Sequence, residues 1–298
     1  MKKYRRIILV WISTCCGIIL ASCGEKETDG QEEDTRITED KTELNEEKFY
    51  EMTETLGLDK GEAEKYYERL CEDNVFQNGT GELTDLLIED LDGNGQKDMI
   101  AMVQEGEFYL YGEGGIHFYM NEDSAYCFRD EDYPFFFDLD VVTGDFDNDG
   151  NTEIVFESHG TGNGAARDWS LRMLKYKNHT MERMDFPSET YENDERYIGI
   201  SVTQESVKDT YSAYCAYLDE TIEFNSENIF EPENSRVVGG NVRGFYNICS
   251  MEYEGRDALV VSEYLNGEGG NVHCVGTARF LILWEKDGSS RIVKWWID

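Results

Sequence analysis

The spacing of apolar positions changes character several times along the chain. From Ile7 to Leu20 they form one stretch, preceded by Lys2, Lys3, Arg5 and Arg6 and closed by Leu20-Ala21-Ser22-Cys23. From Gly24 to Glu47 there is no apolar period and no aromatic residue, only a run rich in Glu, Asp and Thr. The period then becomes helical. Phe49, Met52 and Leu56 share a face behind an Asn45 cap, with Gly57 as the stop, and Ala63, Tyr66, Tyr67 and Leu70 share another behind an Asp59–Glu62 capping box. This predicts two short helices, neither long enough to stand alone, packed on the segments C-terminal to them.

From about Glu82 the pattern is that of strands. Glu107 to Tyr111, Glu153 to Ser158, Ser170 to Tyr176, Ala258 to Tyr264, Ala278 to Glu285 and Arg291 to Ile297 are short, β-branched or aromatic, and separated by Gly, Asn and Asp turns. The expected organisation is a signal peptide (1–22), an acidic disordered linker (23–44), a short helical segment (45–76) and a mainly β domain (77–298). The last has room for about four units of roughly 50 residues, the size of a propeller blade.

Repetition within the β region supplies the candidate chemistry. Glu89-Asp90-Leu91-Asp92-Gly93-Asn94-Gly95-Gln96-Lys97-Asp98-Met99-Ile100 matches Gly144-Asp145-Phe146-Asp147-Asn148-Asp149-Gly150-Asn151-Thr152-Glu153-Ile154-Val155 position for position, and Ser250 to Val260 is a degenerate third copy that keeps the glycine and the strand. Oxygens at positions 1, 3 and 5, a glycine at 6, a backbone carbonyl at 7 and an acid at 9 form a cation cage. The first site would use Asp90, Asp92, Asn94, Gln96 (backbone) and Asp98; the second Asp145, Asp147, Asp149, Asn151 (backbone) and Glu153. Oxygen donors without His or Cys favour Ca²⁺ over zinc or copper. With four carboxylates the second site is expected to bind more tightly. An EF-hand is excluded by Ala101 and Phe156 at position 12, where that loop needs Glu. A haloacid-dehalogenase-like phosphatase would use Asp138 and Asp140 with the second loop, but those motifs lie adjacent here and the helices of its core are missing. The plain reading, Asp, Asn and Gly as turn residues, accounts for one such loop better than for two in register.

Charge narrows the partners. The chain carries 27 basic and 63 acidic residues; without residues 1–22, which hold four basic and no acidic ones, it keeps 23 against 63, a net charge of −40. Nucleic acid is excluded, since phosphate binding needs a basic surface. Beyond Cys23 the mature chain keeps Cys71, Cys127, Cys215, Cys249 and Cys274, an odd number without CxxC spacing. Buried thiols are expected, and Cys249 with Cys274 is the favoured pair if any bridge forms.

The segment ending at Cys23 resembles the lipobox of bacterial lipoproteins. That resemblance implies a diacylglyceryl group on Cys23 after cleavage and attachment to the outer face of the cell membrane; two acyl chains suffice for stable anchoring. The acidic loops are similar to FG-GAP or VCBS repeats of integrin-type β-propellers. This implies a small propeller of four or five blades, or an open propeller-like array, with calcium stabilising loops that present a binding surface. Asn94 stands where the repeat has an acid, and 196–236 holds no recognisable loop.

For catalysis there is no GxSxG, HExxH, SxxK or GxxxxGK. Of the histidines, His159 and His273 lie beside Gly-rich loops and would approach each other if those loops converge. Aromatic residues such as Tyr214, Trp284 and Trp295 could stack on sugar rings, but their strand positions favour packing for most. Two function classes remain: a surface module binding a glycan, peptide or protein, and an extracellular polysaccharide lyase or hydrolase on the same scaffold.

Overall fold

A computed structural model describes residues 44–79, 81–105, 113–120, 125–129, 137–159, 169–187, 190–192, 195–205, 210–226, 236–240, 245–267 and 273–298. The chain divides into two units, Met1–Asp40 and Lys41–Asp298, and every described residue belongs to the second. The signal peptide, Cys23, the linker up to residue 43, the expected strand from Glu107 to Tyr111 and the side chain of His159 lie outside the described residues.

Three helices lead: α1 (Glu46–Thr55), α2 (Lys60–Glu72) and α3 (Asn74–Gln77). Asn45 caps α1 by accepting the Lys48 N–H at 3.0 Å, and Gly57, at φ +75°, ends it. Asp59 and Glu62 form the reciprocal capping box of α2. The third helix is an addition to the expectation, started by the Asp73 carboxylate, which accepts the Val75 N–H at 3.1 Å. No helix among the described residues is long and apolar enough to cross a membrane.

The β region forms four antiparallel four-stranded sheets. The first is a meander of β1 (Gly81–Glu89), β2 (Asp98–Glu105), β3 (Glu113–Tyr119) and β4 (Ala125–Phe128); the second repeats it with β5 (Phe137–Gly144), β6 (Glu153–His159), β7 (Trp169–Lys177) and β8 (Thr180–Arg183). A two-stranded hairpin, β9 (Thr190–Glu192) and β10 (Glu195–Tyr197), comes next. The third sheet joins β11 (Ile200–Gln204), β12 (Thr210–Cys215) and β13 (Glu220–Asn225), with β14 (Arg236–Gly240) added beside β11. A last meander comprises β15 (Tyr246–Tyr253), β16 (Arg256–Asn266), β17 (Cys274–Trp284) and β18 (Ser290–Ile297).

Strand periodicity decides how the sheets stack. Along β2, Met99, Ala101 and Val103 face a cluster with Phe49, Ala63 and Leu70 of the helices. Ile100 and Met102 face the other way, toward Ile154, Phe156 and Leu174 of the second sheet. The second sheet repeats the arrangement, turning Val155, Leu171 and Met173 into a core shared with Val202, Ala213, Leu259, Val261, Phe280 and Ile282 of the third and fourth sheets. Strand β15 lies against β5, β6 and β7, while β16 lies against β11 and β14. The spatial order therefore departs from chain order: helices, first sheet, second, fourth, third. Because α1 and α2 cover the face of the first sheet that a last ring neighbour would need, the described residues form no closed barrel or propeller.

Cys249 and Cys274 form no disulfide, nor do Cys71, Cys127 and Cys215, which corrects the favoured bridge. Cys249 pairs with Val260 and Cys274 with Asn266, so β16 separates them. Two strand spacings of about 4.8 Å put them beyond disulfide reach. Trp284 and Trp295 are core residues and so unavailable for stacking on a sugar.

Buried and half-buried acids tie one sheet to the next. Glu89 of β1 accepts the Thr143 hydroxyl of β5 at 3.0 Å, Glu157 of β6 accepts the Ile248 N–H of β15 at 3.2 Å, and Glu263 of β16 accepts the Ile198 N–H beside β11 at 2.8 Å. Burial, and Asp140 directly opposite on β5, push Glu157 up to about 7 from 4.5. It holds its proton in the fold at pH values where the unfolded chain has released it. Its contribution is therefore full below about pH 4.5 and is lost as pH rises through 7. Glu157→Gln should match the wild type in denaturant unfolding near pH 4.5 and exceed it by about 3 kcal/mol at pH 8. A gap that does not change with pH would contradict this.

Candidate metal sites

The two acidic loops occupy the same place in consecutive meanders, between β1 and β2 and between β5 and β6. Their main internal hydrogen bonds match. The first carboxylate of each accepts two backbone N–H groups: Asp90 takes those of Asn94 (3.1 Å) and Gly95 (2.8 Å), and Asp145 takes those of Asp149 (2.9 Å) and Gly150 (3.1 Å). The last carboxylate is buried and reaches back to the start of the loop, Asp98 accepting the Leu91 N–H at 3.0 Å and Glu153 the Phe146 N–H at 2.8 Å. Left-handed residues fall in register, Gly93 with Asn148 and Gly95 with Gly150. The degenerate third copy is a two-residue hairpin turn at Glu254 and Gly255, both left-handed, which leaves no cage.

In the first loop, carboxylate oxygens of Asp90, Asp92 and Asp98 lie within 4.8 Å of one another; in the second, those of Asp145, Asp147 and Asp149 do. Each cluster can hold a metal ion, and the oxygen-only donors suit a hard cation. Asn94 is turned into its own loop, accepting the Gln96 N–H at 2.7 Å and donating to Asp92 at 2.9 Å. Exposed Gln96 and half-buried Asn151 flank the clusters, the latter giving its N–H to Asp149 at 3.0 Å.

A cation already stands in the second cluster. Lys175 of β7, with 9% of its side chain exposed, places Nζ 2.5 Å from Asp147, 2.6 Å from Asp149 and 3.2 Å from Glu153. Burial alone would lower its pKa, but the hydrogen bonds to Asp147 and Asp149 raise it instead. Burial acts to raise the pKa of Asp149, but Lys175 and the Asn151 N–H together outweigh it and hold the carboxyl below the usual range. Glu153, fully buried and beside Asp147, is pushed up to about 7. In the first sheet the corresponding position is Met120: Tyr119 pairs with Met99 as Leu174 pairs with Ile154, and the next residue is Met120 in one case and Lys175 in the other. This difference is absent from the loop motif itself, and only comparison of the strands two positions away in the meander reveals it.

The loops also touch. A side chain at Gly93 would meet the Asn151 side-chain oxygen at 2.5 Å and the Gly150 carbonyl at 3.2 Å, so the first loop needs glycine there both for space and for its φ of +70°. Asp92 shares a cavity of about 760 Å³ with Asp147, Asp149 and Lys175. The second loop is fixed to the fourth sheet as well, since Asp257 accepts the Asp145 N–H at 2.9 Å. No family model matches the chain, and neither a curated protein nor a solved structure matches it.

Removing one member of a buried ion cluster leaves the others uncompensated, at about 3–5 kcal/mol. Lys175→Met, which copies the first sheet, should lose stability of that order in chelator. A loss under about 1 kcal/mol in urea unfolding would mean that the second cluster does not depend on its lysine.

Proposed function

We propose that the protein is a lipid-anchored, cell-surface calcium-binding module whose stacked sheets hold a recognition surface for a glycan, peptide or protein partner. The reading rests on one observation above others, the two acidic loops with matching internal hydrogen bonds on repeated meanders. Four blade-like sheets arranged as an open FG-GAP/VCBS-type array are consistent with that repeat. The signal sequence and Cys23 supply the anchor, and the acidic linker the reach.

Calcium would occupy the first loop, with Asp90, Asp92 and Asp98 as ligands. There it offsets the repulsion of three crowded carboxylates and stiffens the turn that abuts the second loop. In the second, Lys175 supplies the counter-charge, so the order of affinities is the reverse of that expected from carboxylate number. A calcium concentration 100 times the dissociation constant adds about 2.7 kcal/mol to the fold.

Calorimetric titration of the mature chain should show one Ca²⁺ per chain, abolished by Asp90→Asn with Asp92→Asn, and a second in Lys175→Met. No binding heat, together with an unmoved melting temperature, would sink the calcium assignment.

A further inference from the structure

A second polar cluster lies at the opposite end of the first sheet's meander from the helix-covered strand β1. His117 of β3 and Cys127 of β4 are direct cross-strand partners, with Cys127 Sγ 3.4 Å from His117 Nε2. The other ring nitrogen, Nδ1, lies 3.0 Å from Asp73 Oδ2. A carboxylate only accepts, so Nδ1 carries the proton and Nε2 is left as the acceptor facing the thiol. Asp73 is fixed from the rest of its surroundings: it caps α3 through the Val75 N–H and accepts the Tyr119 hydroxyl at 2.7 Å. Burial acts to raise its pKa, and the hydrogen bonds from Tyr119, Val75 and His117 together outweigh that and hold the carboxyl below its ordinary value.

Thiol, imidazole and carboxylate stand in a row with the most buried group in the middle: Cys127 is exposed, His117 is buried, and Asp73 is half-buried on the far side of the ring. Gly115 keeps the place open, because a side chain there would come within 3.0 Å of Cys127 Sγ and 3.4 Å of His117 Nε2. The three residues line a cavity of about 410 Å³ with Glu105 and Arg129. Glu105 comes within 3.8 Å of Nε2 and accepts from Arg129 Nε at 3.1 Å. A histidine kept for packing alone requires neither an exposed thiol on its free nitrogen nor a glycine cleared beside it.

We propose that Cys127, His117 and Asp73 form a nucleophilic site for acyl transfer from small esters or thioesters, with Cys127 as nucleophile, His117 as general base and Asp73 as positioning residue. Cys127 is exposed as a residue, but its sulfur is turned toward His117 and partly desolvated, which pushes the thiol up to about 11, so it rests protonated at neutral pH. As Sγ bonds to the acyl carbon, its proton passes to Nε2, and Arg129 is the donor on the pocket wall for the carbonyl oxygen. The adduct collapses by breaking the bond to the leaving alcohol or thiol, which takes the proton from Nε2. Water, deprotonated by the same imidazole, then cleaves the thioester and returns Cys127 to the thiol, releasing the carboxylic acid. The step involves no oxidant or reductant.

The test uses the mature chain and p-nitrophenyl acetate, following p-nitrophenolate release and locating the acetyl group by mass spectrometry. Cys127 should be acetylated about 100-fold faster than Cys71, the other exposed thiol among the described residues, the low end of what a positioned base supplies. His117→Gln should remove that advantage. Cys127→Ala should abolish the burst while keeping the melting temperature, which decides the matter even where His117→Gln unfolds. Asp73→Asn should shift the pH profile of acetylation, since His117 is faced only by Asp73, Glu105, Tyr119 and Cys127 among the described residues, with Arg129 paired to Glu105. Equal acetylation of Cys127 and Cys71, or an unaltered Cys127 rate in folded His117→Gln, overturns the proposal.

Discussion

A carboxylate taken out of water has to be met by donors or give up its charge, and this chain, with 63 acidic residues, buries several of them at the junctions of its sheets. Asp98 and Glu153 close their loops by accepting backbone N–H groups at the loop's own start. Glu157 and Glu263 do the same across sheets, each accepting an N–H from the neighbouring sheet or its approach. The donors that edge segments leave unpaired are thereby satisfied, and the stacking order of the sheets is fixed at the same points. Glu263 has no second partner for its other oxygen among the described residues and is pushed well above its ordinary pKa by burial.

The same constraint separates the two acidic loops. Their backbones are equivalent, and so is their supply of N–H donors, but the residual negative charge is handled differently. One loop has Lys175 within hydrogen-bond reach of Asp147 and Asp149, and the other has Met120 at the corresponding position. A lysine neutralises the cluster permanently, whereas a metal neutralises it when present. The two loops abut at Gly93 and Asn151, so a cation in the first, as proposed, would sit beside a loop that Lys175 already ties together. The calcium dependence proposed above would then belong to the first loop, which α2 also reaches through Tyr66, whose hydroxyl donates to the Lys97 carbonyl at 2.7 Å.

What was legible in the sequence was local. Asn45, Asp59, Glu62 and Gly57 sit where caps and stops belong because capping is decided within a turn. The strands from Glu153 and Ala258 follow from alternation, and the acidic loops from their repeat. The third sheet left no comparable mark: its β12–β13 connection, Ala216 to Asp219, is an ordinary turn without a ligand pattern. Long-range features were not legible. An amphipathic helix announces an apolar face but not which sheet receives it, so the covering of the first sheet, and with it the open stack, had to come from packing. Lys175 reaches its cluster across two strand pairings, and His117 meets Cys127 by cross-strand register, distances that no short motif encodes. The same blindness to register made Cys249 and Cys274 look pairable.

The central claim is that each acidic loop is built around one cation, a metal ion in the first and the Lys175 ammonium in the second. Crystals of the mature chain grown in calcium and measured at a wavelength where calcium scatters anomalously would test it most directly. One anomalous peak among Asp90, Asp92 and Asp98, with Lys175 still between Asp147 and Asp149, is the predicted result. A peak among Asp145, Asp147 and Asp149 with Lys175 swung out, or no peak at either loop, would contradict it.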